Sequence, residues 1–146
     1  MKRILEIRRT FLARWLVAFL LGVALFVPIA SADNDAIVQT VGGVSFVSGG
    51  VGQESIQRIN SLVSNFNLKM IFALNSGDYL SDVRVAIADT KGHPFLDTMS
   101  GGPWFLTKLP VGTYQITATY SDHALKREIV VGTANLKIVD FRWATE

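Results

Sequence analysis

Leu109-Pro110-Val111-Gly112-Thr113-Tyr114-Gln115-Ile116-Thr117-Ala118-Thr119-Tyr120 is the stretch from which the architecture can be worked out. Pro110 presets the φ of a first turn corner, and Gly112 is suited to the positive φ of a second. Beyond the turn, Tyr114, Ile116, Ala118 and Tyr120 share one face, while Gln115, Thr117 and Thr119 share the other. That period of two predicts a half-buried antiparallel strand.

Similar short segments surround it. Leu68–Leu74, Tyr79–Asp89, Phe95–Met99, Trp104–Lys108, Ala124–Val131 and Asn135–Trp143 all read as strands. Asn75-Ser76-Gly77-Asp78, Lys91-Gly92-His93-Pro94, Ser100-Gly101-Gly102-Pro103 and Ser121-Asp122-His123 supply the turns between them. Strands at this spacing, jointed by Gly, Pro, Asn and Asp, predict a mainly β fold: a seven-stranded antiparallel Greek-key β-sandwich.

One helix interrupts the pattern near the N-terminus. Ile56, Ile59, Leu62, Val63 and Phe66 recur at three- and four-residue spacing, so residues 53–66 predict an amphipathic helix whose stripe packs on its own sheet. A lone Arg58 on the polar face disfavours adsorption to a membrane. Ahead of it, Gly42–Gly52 is glycine-rich. A phosphate cradle would need a Walker lysine and a βαβ setting, and both are missing, so a first strand turning into the helix is expected.

Residues 1–32 form a unit of another kind. Lys2, Arg3, Arg8, Arg9 and Arg14 precede a sixteen-residue apolar run, Trp15–Ala30, and Ala30-Ser31-Ala32 forms a small-x-small site. This layout predicts a secretory signal peptide cleaved between Ala32 and Asp33. An uncleaved anchor is the alternative, but the run contains Pro28 and falls short of the ~20 residues of a spanning helix. Residues 33–41 are expected to be a flexible lead-in and 42–146 a single domain.

Removing the leader changes the charge balance. It holds five of fourteen basic and one of twelve acidic side chains, which leaves nine against eleven, a net charge of about −2. The pI near 9.1 therefore belongs mostly to the leader. A nucleic-acid partner is not expected, because no basic cluster beyond Lys126-Arg127 remains. The absence of cysteine removes thiolate metal sites, thiol nucleophiles and disulfides. A periplasmic protein without a membrane span after cleavage is the expectation.

Chemistry-bearing constellations are sparse. His93 and His123 are the only histidines, and no third ligand is spaced with either, so neither a metal nor another cofactor is assigned. Asp78, Asp82, Asp89, Asp97 and Asp122 border turns, where aspartate bonds backbone N–H groups, and none falls in calcium-loop spacing. No serine has a GxSxG context. The expected protein is not an enzyme. Among the aromatics, Trp104 and Tyr79 are the candidates for ligand binding, whereas Tyr114 is expected to tie down its turn through its hydroxyl.

Leu109–Ala118 resembles the LPxGxYxhxA signature of carboxypeptidase regulatory-like domains, which are small transthyretin-like sandwiches. Val83–Gly92 is similar to their VxVxDxxG strand and turn. Val47-Ser48-Gly49-Gly50-Val51-Gly52, Asn67-Leu68-Lys69, Gly77–Val83, Gly102-Pro103-Trp104 and Phe141-Arg142-Trp143 resemble, in this order, a single-domain exported proteobacterial group with such a domain. The resemblance covers about residues 45–143 and implies mainly a fold. It implies no peptidase activity, because these modules carry no peptidase residues themselves and accompany a separate zinc-bearing domain. Hydroxyisourate hydrolase shares the fold but ends in Tyr-Arg-Gly-Ser, whereas this chain ends Arg142-Trp143-Ala144-Thr145-Glu146.

The functional expectation is a non-catalytic periplasmic binding or interaction module with a protein, glycan or peptide partner in the cell envelope. A structural accessory subunit of an envelope complex is the first alternative. A small hydrolase or metal-binding protein is the second.

Overall fold

The computed structural model describes residues 36–144. The expected leader, its Ala32/Asp33 junction and residues 33–35 lie outside the described residues. The described residues are mainly β, with two sheets and one α-helix among them. Among the described residues no helix is long and apolar enough to cross a membrane.

Among the described residues there are nine strands instead of seven. They are β1 (Gln39–Val41), β2 (Val44–Gly49), β3 (Leu68–Leu74), β4 (Arg84–Asp89), β5 (Pro94–Met99), β6 (Trp104–Lys108), β7 (Gly112–Tyr120), β8 (His123–Val131) and β9 (Lys137–Trp143). One sheet has the order β1-β2-β6-β3-β9 and the other β5-β4-β7-β8. All pairings are antiparallel but one: β9 lies parallel to β3, from Leu68↔Lys137 to Leu74↔Trp143. The all-antiparallel expectation is corrected there.

Alternation along the strands explains why the sheets face each other. Phe46, Met70, Phe72, Phe105, Val139 and Phe141 from the first sheet join Val85, Ile87, Leu96, Tyr114, Ile116, Ala118 and Ile129 from the second in one buried cluster. Each set lies at every second position of its strand, so each sheet buries one face. The Phe46 and Phe105 rings stack with centroids 5.2 Å apart. At about 25 cal/mol per Å² of apolar surface, this shared layer is the main source of stability in a chain without disulfides.

The corner at Leu109–Tyr114 forms as its residues predict, with one exception. The Tyr114 hydroxyl donates to the Pro110 carbonyl at 2.8 Å. Gly112, however, is absent from the positive-φ positions and instead opens β7 opposite Val131. The corner is tied from below by buried Asn67. Its side-chain amide donates to the Leu109 carbonyl at 2.7 Å, and its oxygen accepts the Leu109 N–H at 2.9 Å. Asn67 thereby satisfies backbone groups that have left the ladder.

Tyr79–Asp89 is also not one strand. Tyr79 bridges Ala73 in the first sheet, while β4 belongs to the second. Asp82 takes a left-handed φ of 58° between them. Ser100 then accepts the Val83 N–H on its hydroxyl at 3.0 Å. The chain changes layers there, which a period-two pattern does not reveal.

Helix α1 (Gly52–Leu62) continues into a 3-10 turn, Val63–Asn65, so the helical stretch ends one residue before Phe66. Its stripe lies on the outer face of the five-stranded sheet. Ile59 and Phe66 are buried with Val47 of β2 and Leu106 of β6, and Leu62, Val63 and Trp104 pack around them. The glycines at this junction allow close backbone approach. A Cβ on Gly102 would lie 2.4 Å from the Gly49 carbonyl oxygen, and one on Gly50 (φ 98°) would lie 3.0 Å from the Trp104 ring.

Candidate functional site

β3 directs Leu68, Met70 and Phe72 into the core, so Lys69, Ile71 and Ala73 point to the outer face. Paired residues of neighbouring strands project to the same side, and the register therefore lays out three rows across β6, β3 and β9. Leu106, Lys69 and Ile138 form the first row, and Trp104, Ile71 and Asp140 the second. Tyr79, Ala73 and Arg142 form the third, with Tyr79 continuing the line of β6 through its bridge to Ala73.

The two aromatic candidates, Trp104 and Tyr79, thus share a face. They flank β3 two residues apart along the strand, a step of about 7 Å. Tyr79 is 64% exposed and Ile138 55%, while Ile71 and Trp104 are half-buried. Helix α1 covers this face only over β2 and β6, where Val47 and Leu106 lie. Beyond the helix Tyr79 and Ile138 are exposed, with Asp140 and Arg142 beside them, while Lys69 and Ile71 are half-buried and Ala73 is buried.

Trp104 is less open than a turn-flanking aromatic suggests. Its ring lies against Gly50, and the Lys69 ammonium sits 3.7 Å from its centroid. A cation over an indole face is attracted by the ring quadrupole. Partial burial holds the Lys69 pKa below its ordinary value. Trp104 therefore acts first as a wall between α1 and the rows, with Lys69 lying on it; Tyr79 is the freer ring. The pairing of Lys69 with Trp104 left no local signal, since thirty-five residues separate them in sequence.

The histidines are far apart. His93 lies in the β4–β5 turn, at the end where Asp89 pairs with Tyr114, and His123 follows the β7–β8 turn beyond Tyr120. Six residues of β7 separate those ends, about 20 Å of strand. His93 Nδ1 meets Asp89 Oδ2 at 2.9 Å, and His123 Nδ1 meets the Ser121 carbonyl at 2.9 Å. Among the described residues no three His, Cys, Asp or Glu side chains are grouped to hold a metal ion.

The turn aspartates hold the backbone. Asp89 Oδ1 accepts the N–H groups of Lys91 at 2.8 Å and His93 at 2.9 Å, and Gly92 takes φ 85° between them. The His93 backbone N–H is the main reason the Asp89 carboxyl sits below the usual range. Asp97 is held low by its hydrogen bonds from Arg84, whose Nε and Nη2 reach its two oxygens at 2.9 and 2.7 Å. Both carboxylates are accounted for by structural roles.

The chain matches no protein-family model, and no curated protein is a significant match to it.

Proposed function

We propose that the chain is a non-catalytic binding module of the periplasm, taking an envelope glycan or peptide on the outer face of β3 and β9. The observation that carries this reading is the convergence of exposed Tyr79 and Arg142 with half-buried Ile71, Trp104 and Lys69 on one face that α1 covers only in part. An aromatic and aliphatic floor stacks on sugar or side-chain surfaces, and the cations and Asp140 orient polar groups at its margin. We place the chain with the single-domain exported carboxypeptidase regulatory-like proteins and class its interleaved connections as Greek-key. The Leu109–Ala118 signature supports that placement, as do the Tyr114–Pro110 tie and the aspartate-capped turn at Asp89–Gly92. No peptidase chemistry comes with it.

Indole fluorescence tests the site, because Lys69 lies on Trp104 and an occupant must change that contact. Titration with envelope oligosaccharides and extended peptides is expected to shift the Trp104 emission, and Tyr79→Ala is expected to weaken the response at least tenfold. A response unaffected by Tyr79→Ala would move the site elsewhere.

A structural accessory subunit is the second reading. The helix stripe is already packed on its own sheet, so a docking surface would have to be a sheet edge, and the uncharged β1 edge favours it.

A further inference from the structure

The two sheets end in four edge strands, β1 and β9 in one and β5 and β8 in the other. Three of them carry features that discourage pairing with another chain. β8 exposes Lys126, Arg127 and Glu128, and Arg127 stands opposite core-facing Ile116, a charge on the inward row. β5 begins with Pro94, contains Asp97 and has a register shift against Ile87/Ala88. β9 carries Lys137, Asp140 and Arg142, and its end is fastened beside β8 by the Trp143 Nε1–H bond to the His123 carbonyl at 2.8 Å.

β1 has none of these features. Ala36-Ile37-Val38-Gln39-Thr40-Val41 contains no charge and no proline, and β1 pairs with β2 in unbroken register. Ile37, Val38 and Val41 are each 46% exposed. Val41 and Val44 flank the two-residue turn Gly42-Gly43, both glycines at positive φ, and form its hydrogen-bonded pair. The ladder then alternates, so the N–H and C=O of Thr40 point away from β2, to an edge that no strand among the described residues covers.

We propose that β1 is a self-association strand: two copies pair antiparallel through their β1 edges about a two-fold axis and join their five-stranded sheets. The occupant is a second copy because a two-fold seam sets each residue against its own symmetry mates. The Ile37–Val41 edge brings no charge to that seam in any register. Thr40 supplies donor and acceptor to its mate, and Ile37, Val38 and Val41 are apolar on both sides. So short a ladder makes a weak dimer. This association is independent of the face carrying Tyr79.

Sedimentation velocity of the full chain, as processed and exported by its own cell, tests it. The weight-average mass is expected to rise from monomer toward dimer between about 1 µM and about 1 mM, the range of weak, small interfaces. Thr40→Pro removes the edge N–H and is expected to weaken dimerisation at least tenfold. Val38→Lys sets like charges near the seam and is expected to do the same while leaving the urea midpoint unchanged. If Thr40→Pro lowers that midpoint, Val38→Lys decides. A monomer across the whole range overturns the proposal, and so does a dimer indifferent to Val38→Lys. A monomer whose β1 is taken by a strand of another protein overturns the second-copy assignment.

Discussion

The outer faces of the two sheets follow the same alternation rule and differ in what they carry. The four-stranded sheet presents Ala86 and Ala88, Thr113, Gln115, Thr117 and Thr119, with Arg84 paired to Asp97 at one side and Lys126 and Glu128 at the other. Apart from exposed Val130 and Met99, water suits that surface, and among the described residues no helix lies over it. The five-stranded sheet presents Val47, Leu106, Trp104, Ile71 and Ile138 on its outer side. Helix α1 covers the part over β2 and β6, where its Ile59, and Phe66 just beyond the 3-10 turn, are buried against Val47 and Leu106. An apolar sheet face is stable when something shields it, and the described chain shields only half. Tyr79 lies on the half beyond the helix, and Trp104 stands at the border between the two halves.

The covered half offers the largest effect. Ile59→Ala removes the central contact of α1 with Val47 and Leu106, and the expected loss is about 2–4 kcal/mol in urea unfolding. A loss under about 0.5 kcal/mol would mean that the helix rests on the sheet without sharing a core. The glycine junction sharpens the same point. Gly102→Ala drives a Cβ into the Gly49 backbone and is expected to cost about 2–3 kcal/mol. Gly101→Ala is the control; a Cβ there meets nothing within 4 Å, so its expected cost is under about 0.5 kcal/mol.

Smaller effects belong to the exposed surfaces. Tyr79→Ala is expected to leave the urea midpoint nearly unchanged while weakening the ligand response at least tenfold, which separates the half beyond the helix from the covered one. Arg84→Ala on the four-stranded face is expected to leave the ligand response unchanged and to lower the urea midpoint only slightly, since its pair with Asp97 is exposed. The smallest effect is on acidification. The folded pKa values of Asp89 and Asp97 lie below their unfolded values, so their contribution is present above the ordinary carboxylate range and is lost as pH falls through the folded values. Urea midpoints are expected to drop below about pH 4, and less steeply in Asp89→Asn and Asp97→Asn.

Local chemistry was legible where one segment carries the whole signal. The alternation of Tyr114–Tyr120, the Ile56–Phe66 stripe and the tie of Tyr114 to Pro110 each need only neighbouring residues. Features that depend on remote partners were not. The parallel docking of β9 on β3 leaves no mark in Lys137–Trp143. β1 is too short to show a period and read as lead-in. Tyr79–Asp89 read as one strand on the alternation of Val83, Val85 and Ile87, although Asp82 carries the chain from one sheet to the other. For the candidate site, Tyr79 and Trp104 were visible as unplaced aromatics. Their common face, Lys69 over the indole and Gly50 against it depend on the order of β6, β3 and β9, which no single stretch encodes.

The central claim is that the uncovered half of the five-stranded face is the binding surface and the four-stranded face is not. Amide chemical-shift mapping of the isotope-labelled protein, titrated with envelope oligosaccharides and extended peptides, tests it most directly. The account predicts shifts concentrated at Lys69, Ile71, Ala73, Tyr79, Trp104, Ile138, Asp140 and Arg142. Shifts concentrated at Ala86, Gln115, Thr117 and Thr119, with those eight unmoved, would contradict it.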